Sequence, residues 1–447
     1  MKPLLLAFVS AWALHAQDPG VFAIRNARVV PVQGPALDHA TVVVRKGLIE
    51  AVGANVTPPA DAWIIEGDGL TVYPGLVDAL STVGLAEAPA RPAGAGAGTA
   101  APALPATPAA PPARGPEDRP STTSWLRAAD VVKPADKSIE TARTFGYTTA
   151  VTFPHQGIFA GQGAVIDLAG DTVGQMVVSA PAGQYVTLTT GGFGGGYPAS
   201  LMGAIAYVRQ LYLDADYYQH AKEFYASHPR GTARPAYDRA LEGVLESPRI
   251  LLPAGTRREV DRMLRFSKEL KRPVILYGLS EGYRSADLLA HDGPPVLVNL
   301  KWPERSPDAD PDEPDALHIL EVRENAPSTP AALKKQGVRF ALYTGGIDRR
   351  ADFIRAVRRA LDAGLSADDA LRALTLAPAE IFGVSDRLGS IEPGKIANLV
   401  VTKGDLFDEK GVVKYVFVDG MKFEPVEEPP PAPRPGAREA APGSKQQ

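Results

Sequence analysis

The sequence contains no cysteine, which excludes disulfide bonds and any metal site built from thiolates. It also has no excess of positive charge, because 47 Lys and Arg residues face 51 Asp and Glu residues, for a net charge of −4 at pH 7. Surfaces that bind nucleic acid are basic, so we expect no nucleic-acid partner. Apart from the chain start, no long apolar run is present. A membrane-spanning helix needs about 20 apolar residues, so we expect no membrane span.

The chain start has the composition of a secretory signal peptide. Lys2 is followed by a short apolar run and by small residues up to Ala16. This pattern predicts a signal peptide over residues 1–16, with cleavage after Ala16 or, as a second choice, after Ala13. A buried N-terminal helix is the alternative. With a signal peptide, we expect a secreted or periplasmic protein.

Two segments are poor in large apolar side chains. Residues 87–120 form a tract of Ala, Pro and Gly, and residues 424–447 include the run Pro429–Pro431. Neither segment can bury enough apolar surface to offset the entropy of ordering its backbone. We therefore predict a disordered insertion over 87–120 and a disordered Pro-rich tail over 424–447.

The patterning of the remaining chain predicts two kinds of structure. Residues 17–72 and 389–423 consist of short β-branched runs separated by Gly and Pro, which predict one small β domain made from both chain ends. From 73 to 388, strands alternate with helices, which are predicted over Ser138–Phe145 and Arg257–Leu270, among others. Such units predict a parallel sheet covered by helices, open or closed into a barrel. Without the insertion, this span is close to the ~250 residues of an eightfold barrel.

Seven motifs between residues 22 and 423 resemble, in their order, the amidohydrolase superfamily, in the branch of imidazolonepropionase-like secreted bacterial proteins. The motifs are Asn26–Val29, Lys46–Gly53, Tyr73–Asp78, Gly146–Val151, Gly161–Val165, Leu371–Gly383 and Gly389–Val400. The resemblance implies an α/β fold, a (β/α)8 TIM-like barrel over 73–388 with a small β-sandwich formed by 17–72 and 389–423. It also implies a hydrolase of non-peptide carbon–nitrogen bonds, with cyclic amide-like substrates.

Active members of the family hold zinc or another divalent metal through histidines, a carboxylated lysine or glutamate, and an aspartate at the barrel mouth. The resemblance places five of these positions on other residues: Leu80, Thr82, Pro253, Tyr277 and Gly345. None of the five is a histidine or an aspartate, the side chains that bind and activate such metals. The ligand position on the fourth barrel strand could not be matched. We therefore expect no metal cofactor.

Five polar side chains are pocket candidates: His155, Gln162, Tyr277, Glu281 and Asp348. His155 follows a strand on the face where barrel enzymes work, although a lone loop histidine is more often solvated. Tyr277 could fill the space of an imidazole, while Glu281 could cap a helix. Asp348 is either a carboxylate ligand or, more simply, a helix N-cap.

Two further features lie near the predicted mouth. The glycine-rich run Gly191–Gly196 lacks the lysine and spacing of a phosphate loop, so we predict a loop over the mouth. Arg349 and Arg350 could attract an anionic ligand, although charges at a helix start are ordinary.

Two hypotheses of function follow. The first is a secreted amidohydrolase whose activity is weak or absent because its metal ligands are replaced. The alternative is a non-catalytic scaffold or binding partner of an active homologue, because fold alone does not establish activity. The expected ligand is a small-molecule amide, and the expected assembly is a homo-oligomer or a hetero-oligomer with an active homologue.

Overall fold

The computed structural model describes residues 20–85, 116–190, 197–290, 293–306, 309–310 and 312–425. The predictions for the signal peptide, for the glycine-rich run Gly191–Gly196, for residues 87–115 of the insertion and for the tail beyond 425 lie outside these residues. The last part of the predicted insertion, residues 116–120, is described and is wrong as a disordered segment. It contains a 3-10 turn, and Arg119 forms ion pairs with Asp214 at 2.6 Å and Asp238 at 3.4 Å.

The described residues form eighteen β-strands. They are β1 (Phe22–Val29), β2 (Leu37–Arg45), β3 (Leu48–Gly53), β4 (Trp63–Glu66), β5 (Leu70–Pro74), β6 (Leu76–Ser81), β7 (Tyr147–Thr152), β8 (Phe159–Gln162), β9 (Ala164–Asp167), β10 (Val177–Ser179), β11 (Gln184–Val186), β12 (Ile250–Ala254), β13 (Val274–Gly278), β14 (Val296–Asn299), β15 (Phe340–Tyr343), β16 (Leu399–Lys403), β17 (Val412–Val418) and β18 (Met421–Phe423).

The described residues also form twelve α-helices, all of which lie between β6 and β16 along the chain. They are α1 (Ala128–Val131), α2 (Lys137–Phe145), α3 (Val173–Met176), α4 (Leu201–Ser227), α5 (Arg239–Glu246), α6 (Arg257–Leu270), α7 (Gly282–Leu289), α8 (Leu317–Asn325), α9 (Thr329–Lys335), α10 (Arg350–Asp362), α11 (Ala367–Ala373) and α12 (Leu376–Phe382). In the described ranges, none of them combines the length and the apolar character needed to cross a bilayer.

Local signals in the sequence explain where two of the predicted helices begin and end. α6 has the predicted bounds and starts with a capping box, in which Thr256 and Glu259 each bond the other's backbone amide. α2 begins one residue earlier than predicted, after the N-cap Asp136, and ends at Gly146. Gly146 has a φ of 97°, a left-handed conformation that glycine adopts without strain.

Both chain ends contribute to one eight-stranded sheet, in the order β18-β17-β16-β5-β1-β2-β3 with β4 beside β1. β5 and β16 join the two ends, since residues 70–74 pair antiparallel with residues 399–403. Apolar side chains of β1, β2, β5, β16 and β17 share one buried cluster. Strands from residues 17–72 and from 389–423 thus share one sheet, while the domain that they would form and its arrangement as a sandwich stay predictions.

The middle of the chain forms two further sheets. One has six strands in the order β15-β14-β13-β12-β11-β8, and β11 to β15 are parallel neighbours. The other has four strands in the order β10-β9-β7-β6, in which β6 and β7 are parallel. Helices α5 to α10 lie between or after the parallel strands, as expected for βα units.

Two strands run against the parallel pattern that the sequence predicted. β8 pairs antiparallel with β11, and β9 pairs antiparallel with β7. Only residues 153–163 separate β7 from β9. A parallel connection needs a dozen residues or more, so β9 returns antiparallel to β7. Gly163 lies between β8 and β9 and carries the chain from the six-stranded to the four-stranded sheet.

The two middle sheets meet where β6 approaches the end of β15. Asp78 of β6 is 3% exposed and accepts hydrogen bonds from the amide of Thr344 at 3.1 Å and from its hydroxyl at 2.6 Å. Burial raises the pKa of Asp78 to about 6, although these bonds favour the ionised carboxylate. An apolar cluster with members on β6, β7, β9, β12, β13, β14 and β15 lies between the two sheets.

Candidate functional site

The residues that the family resemblance singled out lie at the carboxyl ends of the parallel strands. Proteins with parallel strands bind ligands at this edge, because the connecting segments begin there. β12 to β15 are parallel neighbours, so their carboxyl ends meet, and the Asp78–Thr344 hydrogen bonds bring β6 beside them. We refer to this edge as the strand-end site.

At position 345, where the resemblance puts a metal-binding aspartate, the side chain of Asn299 takes up the space beside the backbone. Gly345 follows β15 with a φ of 63°, and a Cβ added to it would overlap the side chain of Asn299. Asn299 is held in place, because its Oδ1 accepts a hydrogen bond from the amide of Lys301 at 2.8 Å. An aspartate at 345 would therefore require both a left-handed backbone and the displacement of Asn299.

Three other ligand positions offer no imidazole to the site. Leu80 is 8% exposed and packs in the apolar cluster between the sheets. Thr82 is exposed just beyond the end of β6. Pro253 is half-buried on β12, directly opposite Tyr277 on β13. Leucine and proline side chains have no atom that can coordinate a cation.

Aromatic rings fill the strand-end site at the remaining positions. The hydroxyl of Tyr277 donates to the carbonyl of Val186 at 3.0 Å, and its ring centroid lies 5.0 Å from that of Tyr185. Tyr185 in turn lies 5.6 Å from Phe153. Burial raises the pKa of Tyr185, Tyr277 and Tyr343 above the usual value for a phenol, so all three stay protonated near neutral pH.

β11 is the strand for which the sequence suggested no ligand position. It lies beside β12, and its Tyr185 packs against Tyr277. The strand has only three residues, Gln184–Val186, and follows a chain reversal, so neither length nor periodicity marked it as part of the sheet. On this strand, the ring of Tyr185 lies beside Tyr277, and the sequence suggested no residue there.

We expect Tyr277→Phe to destabilise the protein by about 1 kcal/mol, because the buried carbonyl of Val186 loses its hydrogen bond to the phenol. Urea unfolding measures the difference. Tyr217→Phe is the matched control, since Tyr217 is 77% exposed and donates no hydrogen bond to a described residue. Equal unfolding free energies for the two variants would contradict the role assigned to the Tyr277 hydroxyl.

Three of the other pocket candidates lie apart from one another in the structure. His155 is exposed after β7 and makes no hydrogen bond with a described residue. Glu281 occupies the N-cap position of α7, but its side chain makes no capping bond. Asp348 is exposed, and the N-cap of α10 is Arg349. The predicted capping roles of the two carboxylates are therefore wrong, because each helix begins without a side-chain cap.

Gln162 is a packing residue and does not line the strand-end site. Its side chain is fully buried on β8, and Nε2 donates to the carbonyl of Gly243 at 3.0 Å and to that of Ser124 at 3.2 Å. These bonds attach β8 to α5 and to the segment that contains Ser124. Oε1 has no hydrogen-bond partner among the described residues.

A second buried carboxylate, Asp167, lies at the end of β9. Its Oδ1 accepts hydrogen bonds from Thr149 Oγ1 at 2.8 Å and from Asn398 Nδ2 at 2.7 Å. Burial raises the pKa of Asp167 to about 7. Thr149 and Asn398 both belong to motifs of the family resemblance, which was the available signal. The three residues tie the chain-end sheet to the four-stranded sheet.

The donors at the strand-end site do not fit a divalent metal. In the parts of the chain that the structure describes, no three His, Asp or Glu side chains come close enough together to hold an ion. Zinc sites use three or four ligands from histidine, cysteine and carboxylates. Asp78 contacts the residue that follows β15, but Thr344 already bonds both its oxygens.

Two comparisons with known proteins find similarity to amidohydrolases. A model described as the amidohydrolase family matches residues 292–422. The crystal structure of an amidohydrolase from Thermotoga maritima MSB8 is 27% identical in sequence, with a TM-score of 0.72 over 90% of this chain and 100% of that one. The chain is thus similar to the amidohydrolase family in sequence over residues 292–422 and to an amidohydrolase in fold over 90% of its length. Among curated proteins, none matches it.

Other solved structures agree with this superfamily in fold alone. They include an amidohydrolase, 16% identical with a TM-score of 0.51, and a prolidase complexed with N-methylphosphonate-L-proline, 15% identical with a TM-score of 0.52. Each covers 91% of this chain and is covered over its whole length. These amidohydrolase-superfamily neighbours imply a TIM-barrel fold with mixed α/β content, as the sequence predicted.

Proposed function

We propose that this amidohydrolase-like protein does not carry out metal-dependent hydrolysis and acts instead as a binding or scaffold protein. The observation that carries the proposal is the contact between Gly345 and Asn299, which leaves no space for the aspartate of the family's metal site. The Asn299 side chain is itself bonded to the amide of Lys301. A metal-binding aspartate at position 345 would therefore have to displace Asn299, and the residue present is a glycine.

The other groups at the strand-end site support the same conclusion. Metal-dependent hydrolysis requires ligands that hold the ion and a base that accepts a proton from the bound water. Leu80 and Pro253 cannot serve as ligands, and Tyr185 and Tyr277 keep their protons because burial raises their pKa values. Asp78 is 3% exposed, so a substrate at the strand ends cannot reach its carboxylate.

Hydrolysis of non-peptide carbon–nitrogen bonds in cyclic amide-like substrates is the second candidate. It is favoured by the likeness to the Thermotoga maritima amidohydrolase over 90% of this chain at 27% identity. A substrate would then be a small amide held at the strand ends, and activity would be weak because the expected ligand residues are replaced. In the first candidate, the same surface holds a ligand or an active homologue without turnover.

Metal analysis of the purified full-length protein tests the proposal. After incubation with zinc and removal of free metal, we expect far less than one bound ion per chain. We also expect no turnover of hydantoins, lactams or dipeptides above the rate of a blank. Purification with and without a chelator gives the matched control.

One result would overturn the proposal and support the hydrolase. This result is a stoichiometric ion, with turnover, that is lost in His155→Ala or Asp348→Asn. Both residues are exposed, so neither substitution is expected to unfold the protein. A stoichiometric ion that survives both substitutions would equally contradict the absence of a metal site.

A further inference from the structure

A cavity of about 620 Å³ lies beside the strand-end site, between the segment that follows β14, the segment that follows β15 and helix α10. This volume falls within the range of roughly 300–1,000 Å³ that is usual for small-molecule sites. Trp302 lines it and is 5% exposed. The indole Nε1 donates to the carbonyl of Ala356 at 2.8 Å, which fastens the segment after β14 to α10.

The lining is predominantly cationic, with five basic side chains against three carboxylates. The basic residues are Lys301, Arg305, Arg349, Arg355 and Arg359, and the acidic residues are Glu304, Asp348 and Asp352. The lining therefore has an excess of positive charge, although the protein as a whole is acidic. A cavity with this imbalance attracts anions.

Three of the five cations already have partners. Arg355 forms an ion pair with Asp352 at 3.0 Å, and Arg359 forms one with Glu304 at 3.1 Å. Arg305 donates to the carbonyls of Asp310 and Glu313, which belong to the following loop. These arginines hold the walls of the cavity, so they are not the groups on which a ligand would depend.

Lys301 and Arg349 are different, because neither side chain has a hydrogen bond or an ion pair with any residue that the structure describes. The backbone of Lys301 is nevertheless fixed by the bond from its amide to Asn299 at 2.8 Å. The neighbouring Arg350 faces elsewhere, since it donates to the carbonyl of Gly411 at 3.0 Å. Of the two arginines that the sequence suggested for anion binding, the structure leaves Arg349 available.

We propose that this cavity binds a small organic oxyanion, a carboxylate or a phosphate group, between Lys301 and Arg349. The guanidinium presents a planar pair of donors to two oxygens of the ligand, and the ammonium supplies a compact charge. Trp302 and Ile347 in the lining offer apolar surface to the rest of the molecule.

The proposed oxyanion-binding cavity does not depend on hydrolysis at the strand-end site. None of the cavity's lining residues belongs to the five positions where the family places metal ligands, since these are Leu80, Thr82, Pro253, Tyr277 and Gly345. Binding at the cavity and turnover at the strand ends can therefore be measured separately.

Titration calorimetry on the full-length protein at low ionic strength tests the proposal, with inorganic phosphate and succinate as probes and sodium chloride as the reference salt. We expect saturable binding of at least one probe, and the tighter one identifies phosphate or carboxylate as the preferred group. We expect Lys301→Ala and Arg349→Ala each to weaken binding about tenfold, because each removes a charge-assisted hydrogen bond.

Lys133→Ala is the matched control. Lys133 is exposed and does not line the cavity, and its loss changes the net charge by the same amount as the loss of Lys301 or Arg349. Arg349→Lys keeps the charge and should recover part of the affinity that Arg349→Ala loses. Unfolding midpoints confirm that each variant is folded. No saturable binding of either probe, or equal affinities for Lys301→Ala, Arg349→Ala and Lys133→Ala, would overturn the proposal.

Discussion

Asp167→Asn is expected to stabilise the protein by about 2–4 kcal/mol above pH 7 and to change its stability little near pH 4. The reason is the buried position of the carboxyl group, which raises its pKa to about 7. In the unfolded chain an aspartate has a pKa of about 3.9. The folded protein therefore holds a proton that the unfolded chain releases between these two values.

The direction of the pH dependence follows from this difference. Below about pH 4 both states are protonated at this residue, and its contribution to stability is fully present. As the pH rises to about 7, only the unfolded state loses the proton, so the free energy of unfolding falls by about 1.4 kcal/mol per pH unit. Above pH 7 the penalty is complete, and an uncharged asparagine avoids it.

The surroundings of Asp167 suit the substitution. Its Oδ1 accepts both hydrogen bonds, from Thr149 and from Asn398, and the carbonyl oxygen of an asparagine can accept the same two. The carboxylate of Asp419 disfavours ionisation further, whereas Arg387 opposes this effect. Asp78, whose pKa is also raised, is present in both proteins, so its contribution cancels in the comparison.

Urea unfolding at pH values from 4 to 9 measures the effect. Asp171→Asn is the matched control, because Asp171 is exposed four residues further along the chain. We expect the curves of Asp167→Asn and the parent protein to diverge as the pH rises and those of Asp171→Asn to stay parallel to the parent. A constant difference between Asp167→Asn and the parent across the range would contradict the assignment.

Gly345→Ala is expected to destabilise the protein by about 2–4 kcal/mol, through an overlap with Asn299 and the strain of a left-handed alanine. The next residue, Gly346, provides a matched control. Its φ is 83°, and a Cβ there would meet no atom within 4 Å. Gly346→Ala therefore carries only the backbone strain, about 1–2 kcal/mol. The difference between the two variants isolates the contact with Asn299.

Truncation of the Asn299 side chain should restore much of the stability that Gly345→Ala loses. In an Asn299→Ala background, we expect Gly345→Ala to cost no more than Gly346→Ala, because the overlapping side chain is gone. Unfolding free energies of the single and double variants form a double-mutant cycle. A cycle without coupling between positions 299 and 345 would show that the site has room for a side chain, and would weaken the argument against a metal-binding aspartate.

Much of the fold could be predicted from local patterns. The bounds of α6 follow from the capping residue Thr256 and a 3.6-residue apolar period, and the end of α2 follows from Gly146. The common sheet of the two chain ends followed from β-branched runs at both ends. The reversal at β8 and β9 was missed, because residues 153–163 carry no marker that distinguishes them from a βα segment.

The candidate site was predicted less completely. The absence of histidine and aspartate at Leu80, Pro253 and Gly345 is a fact of residue type, visible without a structure. The assignment of Gln162 to a pocket was wrong, because its strand turns the side chain towards α5. Which of two adjacent arginines remains available also depended on a distant partner, the carbonyl of Gly411.

The sequence by itself determined the residue types at the strand ends, the periodicity of helices and strands, and the resemblance to amidohydrolases. Only the tertiary structure decided that Asn299 fills the space beside Gly345, and that Asp167 meets Asn398, which lies 231 residues further along the chain. Periodicity and caps act within a few neighbouring residues and can be recognised locally. Burial, pKa shifts and steric exclusion arise from contacts between segments far apart in the chain, so they exist only once the sheets have packed.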